Sequence, residues 1–161
     1  MLLKGKTGLS GKNCRGRILG KKAGREGESM IDYWMRHFAI SVADMDETIE
    51  WYDRVLGFKP ISREHLKGPR CEMATLSNGS LELEVFLHDE TIPIPPERTS
   101  TATDPQTQGM KHVCFGCDDL DAVIDHLNAC GVKIIMGPVS MGDKRLLYIN
   151  DNTGNLLEFM Q

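Results

Sequence analysis

The sequence MRHFAISVADMD, residues 35–46, decides the fold because MKHVCFGCDDLD follows it 75 residues later, at 110–121. Both stretches have histidine in third place, His37 and His112, and aspartate in tenth and twelfth place. After each histidine, small and bulky side chains alternate, which is typical of a strand with one buried face. The repeat predicts two copies of one structural unit, with a histidine at the same place in each.

An amphipathic helix is predicted after each of these strands. The first begins with a D-x-x-E capping-box pattern at Asp44, carries apolar residues at helical spacing and ends at Gly57. The second has the same pattern between a cap at Asp118 or Asp119 and a glycine stop at Gly131.

Three short strands are predicted after each helix, separated by turn residues that include Gly137-Pro138. They span 58–65, 70–77 and 81–88 in the first copy, and 132–137, 144–149 and 155–160 in the second. The Pro- and Thr-rich segment between the copies is predicted to be a linker or a lid loop. The chain is therefore predicted to contain module one at 31–90, a linker at 91–109 and module two at 110–161, each module having the order βαβββ.

The bulk composition restricts the partners of the protein. Residues 1–29 hold eight Lys or Arg and only two acids, so residues 1–30 are predicted to be a disordered basic leader without function, with a nucleic-acid-binding tail as the alternative. The remainder is acidic, which argues against a nucleic-acid surface. No apolar run approaches the roughly 18 residues of a membrane span.

The cysteines indicate a reducing compartment. There are five, and their odd count and scattered spacing do not predict a disulfide framework, so we expect a cytoplasmic protein. Cys114 and Cys117 form a C-x-x-C pattern, but residues three apart on a strand point to opposite faces. We therefore do not expect this pair to share a metal ion.

The last strand of each copy adds an acidic residue to the histidine. Pairing the sequences LEVF and LEFM makes Glu84 the counterpart of Glu158, although Glu82 shares the face of Glu84 and is its rival. An acid on a largely apolar strand is costly unless it is paired or binds a metal. Two histidines and two glutamates suit Zn, Ni, Co, Mn or Fe. The alternative is that the histidines are core residues and the glutamates are edge charges.

Three stretches resemble the vicinal oxygen chelate superfamily, which includes glyoxalase I, methylmalonyl-CoA epimerase and extradiol dioxygenases. They are RHFAISVADMDETIEWYDRVLGF, KHVCFGCDDLDAVIDHLNACGV and YINDNTGNLLEFMQ, the last with Asn152 where proline is common. The resemblance implies an α+β fold of tandem βαβββ modules. These would form a cupped eight-stranded mixed sheet with the helices on the outside, and the protein would be a homodimer.

The resemblance also implies a site and a reaction. Carried over by position, the metal ligands would be His37, Glu84, His112 and Glu158, a set similar to that of glyoxalase I and the epimerases. We therefore expect a metal-dependent lyase or isomerase that abstracts a proton from a small carbonyl or thioester substrate and forms an enediolate, with Glu158 and Glu84 as the catalytic carboxylates. The alternatives are an extradiol-type dioxygenase and a non-catalytic small-molecule binding or resistance protein of the same fold.

Overall fold

The structure, a computed structural model, describes residues 34–68 and 70–161 of the 161-residue chain. The predicted basic leader at 1–30 lies outside these residues. The elements of the first half are β1 (His37–Ser41), α1 (Met45–Leu56), β2 (Lys59–Leu66), β3 (Cys71–Ser77) and β4 (Glu82–His88). Those of the second half are β5 (His112–Gly116), α2 (Leu120–Ala129), β6 (Ile134–Met141), β7 (Lys144–Asn150) and β8 (Leu156–Met160).

The strands form two mixed four-stranded sheets with the same topology. Their orders are β1-β4-β3-β2 and β5-β8-β7-β6. The first and last strands of each module run parallel, and the other neighbours are antiparallel. The predicted α+β class and the tandem βαβββ order are confirmed, with the eight strands divided between two hydrogen-bonded sheets.

Both helices begin where the sequence predicted, and α1 ends at the predicted glycine, whereas α2 ends at Ala129, before the predicted stop at Gly131. The side chain of Asp44 accepts a hydrogen bond from the backbone of Glu47 at 2.9 Å, which caps α1. Gly57 ends α1 in the left-handed conformation at φ 69°. The carboxylate of Asp119 accepts from the backbone of Ala122 at 3.0 Å, so Asp119 is the cap of α2.

The predicted turn at Gly137-Pro138 was wrong, because β6 continues through this pair as far as Met141. The register between β6 and β7 shifts between Met136 and Val139. Gly137 and Pro138 therefore form an irregularity within β6, which is an edge strand. A Cβ at Gly137 would lie 2.7 Å from the carbonyl oxygen of Leu146, which explains why glycine stands there.

The core lies on the sheet faces opposite the two histidines. Phe38 and Val42 of the first module are 5% and 1% exposed, whereas the other face of β1 is open. The core has two apolar clusters, the second of which includes Val55 of α1, and further residues contact both clusters. These shared residues are Trp51, Leu56, Val113 and Phe115. The modules therefore pack together through their helices and through the sheet faces that do not carry the histidines.

The connection between the modules is held by ionic and backbone contacts. It contains 3-10 turns at Pro96–Thr99 and Asp104–Gln106. Asp104 is 1% exposed and pairs with Arg98 and Lys111. The amide of Asn150 donates to the carbonyl of Thr99 at 3.0 Å, which ties the connection to the end of β7. In the described part of the chain, no helix is long and apolar enough to cross a membrane.

Candidate metal site

The first half of the candidate site lies on β1 and β4. His37 is directly opposite Glu82 in the parallel ladder, and Glu84 is the next residue of β4 on the same face. Nε2 of His37 lies 3.5 Å from Oε2 of Glu84. Glu82 instead pairs with Arg36 at 2.6 Å. The geometry therefore groups His37 with Glu84.

The second half of the site repeats this arrangement on β5 and β8. His112 is opposite Leu156, and Glu158 again stands two residues further along the parallel neighbour. Nε2 of His112 lies 3.0 Å from Oε2 of Glu158. The side chain of Glu158 is only 5% exposed, compared with 27% for Glu84.

The spacing of each pair fits one bound ion. Two atoms bound to a zinc ion at about 2.0–2.2 Å, with tetrahedral or octahedral angles between them, lie about 3.0–3.5 Å apart. The separations of 3.5 and 3.0 Å between histidine nitrogen and glutamate oxygen match this range. Imidazole and carboxylate are also donors that Zn, Ni, Co, Mn and Fe accept. Each pair can therefore supply two ligands to a divalent metal.

Within one chain, the two histidine–glutamate pairs do not come together in a single site. Within residues 34–68 and 70–161, no three His, Cys, Asp or Glu side chains are arranged to hold one ion. The structure thus brings His37 to Glu84 and His112 to Glu158, and it leaves the two pairs as separate half-sites. This separation follows from the fold, because the modules pack through the faces that do not carry the histidines.

The two half-sites have different surroundings. Glu158 stands in register between Cys114 of β5 and Tyr148 of β7. The corresponding neighbours of Glu84 are Ala39 and Thr75, which are smaller. The hydroxyl of Tyr148 lies 3.4 Å from Nε2 of His112.

Burial and the carboxylate of Glu158 raise the pKa values of two neighbouring side chains. Burial, followed by hydrogen bonding to Glu158 and the negative charge of that carboxylate, raises the pKa of Cys114 to about 12. The same causes, in the same order, raise the pKa of Tyr148 to about 12. Both side chains therefore keep their protons at neutral pH, where they are neutral donors beside a carboxylate.

Tyr148 lies beside the site, and the sequence analysis did not single it out. The signal was present in the alternation of β7, because Leu147 and Ile149 are buried and Tyr148 points to the other face. The two cysteines of the C-x-x-C pattern lie in different surroundings. Cys114 lies beside Glu158 in the β5–β8 ladder, whereas Cys117 packs against the core of the second module.

Comparison with known proteins identifies the family. The model of the Glyoxalase/Bleomycin resistance protein/Dioxygenase superfamily matches residues 34–159. The uncharacterized protein YaeR of Escherichia coli strain K12 is 32% identical over 133 residues, which cover 79% of this chain and 95% of that protein. A probable lactoylglutathione lyase of Vibrio cholerae is 25% identical over 137 residues, covering 82% and 93%.

A solved structure agrees with this assignment. The crystal structure of SMU.1112c is 28% identical and aligns with a TM-score of 0.64 over 80% of this chain and 98% of that chain. The fold, the order of the modules and the sequence all indicate the same family. The chain belongs to the Glyoxalase/Bleomycin resistance protein/Dioxygenase superfamily.

Proposed function

We propose that this chain is a metal-dependent lyase or isomerase of the glyoxalase type, acting on a small carbonyl or thioester substrate. The observation that carries the proposal is the repeated histidine–glutamate pair, with nitrogen–oxygen separations of 3.5 and 3.0 Å at equivalent places in both modules. The similarity to a probable lactoylglutathione lyase supports the same reaction class.

The four side chains divide the chemistry between them. His37, Glu84, His112 and Glu158 would hold the ion. A divalent ion held there would supply Lewis-acid stabilisation of negative charge on a substrate oxygen. A glutamate beside the substrate removes the proton from the carbon next to the carbonyl and returns it to the neighbouring carbon, a role worth about 10²- to 10⁴-fold in rate. Glu158 and Glu84 are the two carboxylates placed for this role.

We also propose that the complete site forms between two copies of the chain. The histidine-bearing faces are open, with the side chains of His37 and His112 exposed by 40% and 31%. Large apolar residues just before β1 and β5 are exposed as well: Trp34 by 70%, Met35 by 57% and Met110 by 72%. Exposed apolar groups of this kind mark interfaces. In a twofold dimer, module one of each copy would meet module two of the other, giving two sites.

The thiols support a reducing compartment for this protein. Cys71, Cys114, Cys117 and Cys130 are all unpaired in the described part of the chain. Disulfides are uncommon in the cytosol and frequent in secreted proteins. We therefore place the protein in the cytoplasm as part of the proposal.

Metal content tests the proposal most directly. Elemental mass spectrometry on protein purified without a histidine tag should find about one ion per chain. The ion should be lost from a His37→Ala/His112→Ala variant and kept in His65→Ala, because His65 is exposed on β2 and belongs to neither pair. Absence of metal from the parent protein, even after reconstitution, would contradict the proposed site.

Activity assays then separate the reaction classes. Hemithioacetals of α-ketoaldehydes and acyl thioesters test the lyase and isomerase, with product followed by absorbance or NMR. Oxygen consumption with catechols would instead indicate a dioxygenase. Tight binding of a small molecule without any product would indicate a binding or resistance protein.

A further inference from the structure

We propose that Tyr148 is a positioning residue that fixes the His112–Glu158 half of the metal site. The inference rests on the proposed function, since it assumes that this pair binds metal. It gives this tyrosine a role that the threonine at the equivalent place of the first half-site, Thr75, does not have.

The register of three strands brings Tyr148 to both ligands. Tyr148 is directly opposite Glu158 in the antiparallel β7–β8 ladder, so their side chains are neighbours on one face. Its ring reaches across β8 toward β5. There it meets the ring of His112 edge to face, with centroids 5.1 Å apart and planes at 88°. The hydroxyl ends 3.4 Å from Nε2 of His112.

This position restricts both ligands at once. The edge-to-face contact limits rotation of the imidazole of His112 and keeps Nε2 facing Glu158. With Nε2 of His112 serving as a metal ligand, the hydroxyl of Tyr148 would donate its hydrogen bond to the carboxylate of Glu158, its neighbour in register. Partners of this kind that hold ligands in place account for much of the affinity of protein metal sites.

At the equivalent position, the first module has a shorter side chain. The residue opposite Glu84 on the corresponding strand is Thr75, whose side chain is too short to reach across β4 to His37. The exposures agree with this difference: the side chains of His37 and Glu84 are 40% and 27% exposed, against 31% and 5% for His112 and Glu158. The second half-site therefore has a tyrosine beside its histidine–glutamate pair, whereas the equivalent position of the first half-site is a threonine.

Tyr148→Phe tests the inference because it keeps the ring and removes the hydroxyl. The dissociation constant for Zn²⁺, measured by competition with a chromophoric chelator, should rise about 10- to 100-fold. Thr75→Val, the matched change in the first module, should leave the dissociation constant unchanged. The absorption spectrum of the Co²⁺-loaded protein should change in Tyr148→Phe and not in Thr75→Val, because only the former alters the geometry around the ion.

A purely structural role predicts a different pattern. Loss of packing would lower the melting temperature of the metal-free protein, whereas the positioning role leaves it at the parent value. A dissociation constant and Co²⁺ spectrum equal to those of the parent would overturn the inference while leaving the metal site intact. A parent protein that binds no Zn²⁺ would overturn the proposed function, and the role of Tyr148 with it.

Discussion

A pair of complementary variants tests the proposal that each metal site is shared between two chains. His37→Ala removes a ligand from module one, and His112→Ala removes one from module two. In a dimer that contains one chain of each kind, one shared site combines both damaged modules. The other combines the two intact modules, so it keeps the pairs His37–Glu84 and His112–Glu158, whose spacing fits a metal.

The expected magnitude follows from counting sites. The mixed dimer should bind about one ion and show about half of the parent activity, because one of its two sites is complete. Each variant alone should be inactive, since all of its sites lack a histidine. The two chains can be coexpressed with different affinity tags, neither containing histidine, and isolated by two successive purifications.

A second mixed dimer serves as the matched control. It joins a parent chain to a chain carrying both substitutions, His37→Ala and His112→Ala. Shared sites predict no activity here, because each site contains one damaged module. Sites formed within single chains predict the reverse for both dimers: about half activity in this control and none in the complementary pair. That reversed result would refute the shared site.

Three further predictions concern single residues. Glu158→Gln should retain metal and lower kcat by about 10²- to 10⁴-fold, measured beside metal content, because the amide cannot accept the substrate proton; full activity would remove Glu158 as the base. Gly137→Ala should lower the free energy of unfolding, measured in urea, by about 1–3 kcal/mol more than Gly142→Ala does. Both glycines have a positive φ, but of the two only Gly137 has backbone atoms within 3 Å of the position of an added Cβ. Asp104→Asn should lower the free energy of unfolding by about 1–3 kcal/mol in the same assay, because it weakens two charge-assisted contacts of a buried carboxylate. Asp143→Asn should change the free energy of unfolding little, because Asp143 is exposed. Equal stabilities of the two glycine variants, or of the two aspartate variants, would contradict the contact assigned to Gly137 or to Asp104.

Much of the architecture could be predicted from local sequence signals. The caps at Asp44 and Asp119 and the stop at Gly57 located the helices, because these residues act within one turn of the chain. Alternation located strands such as β1 and β4, because one face of each of these two strands is more buried than the other. Each glutamate stands two residues after the residue opposite its histidine. This spacing also follows from strand periodicity, because residues two apart share a face.

The remaining features depend on packing between distant segments. Whether β6 stops at Gly137 or continues is decided by its pairing with β7, which tolerates the irregularity at an edge. The contact of Tyr148 with His112 needs the register of three strands at once. The separation of the half-sites depends on which faces of the modules pack together, and no short sequence pattern reports this.

The shared apolar contacts also limit how the chain can be divided. Trp51 and Leu56 of module one, and Val113 and Phe115 of module two, each belong to the contacts of both clusters. A fragment ending after β4 would leave Trp51 and Leu56 without their contacts to the second cluster and would expose an apolar surface. Such a fragment should self-associate or bind a complementary fragment, and the intact chain should unfold in one cooperative transition.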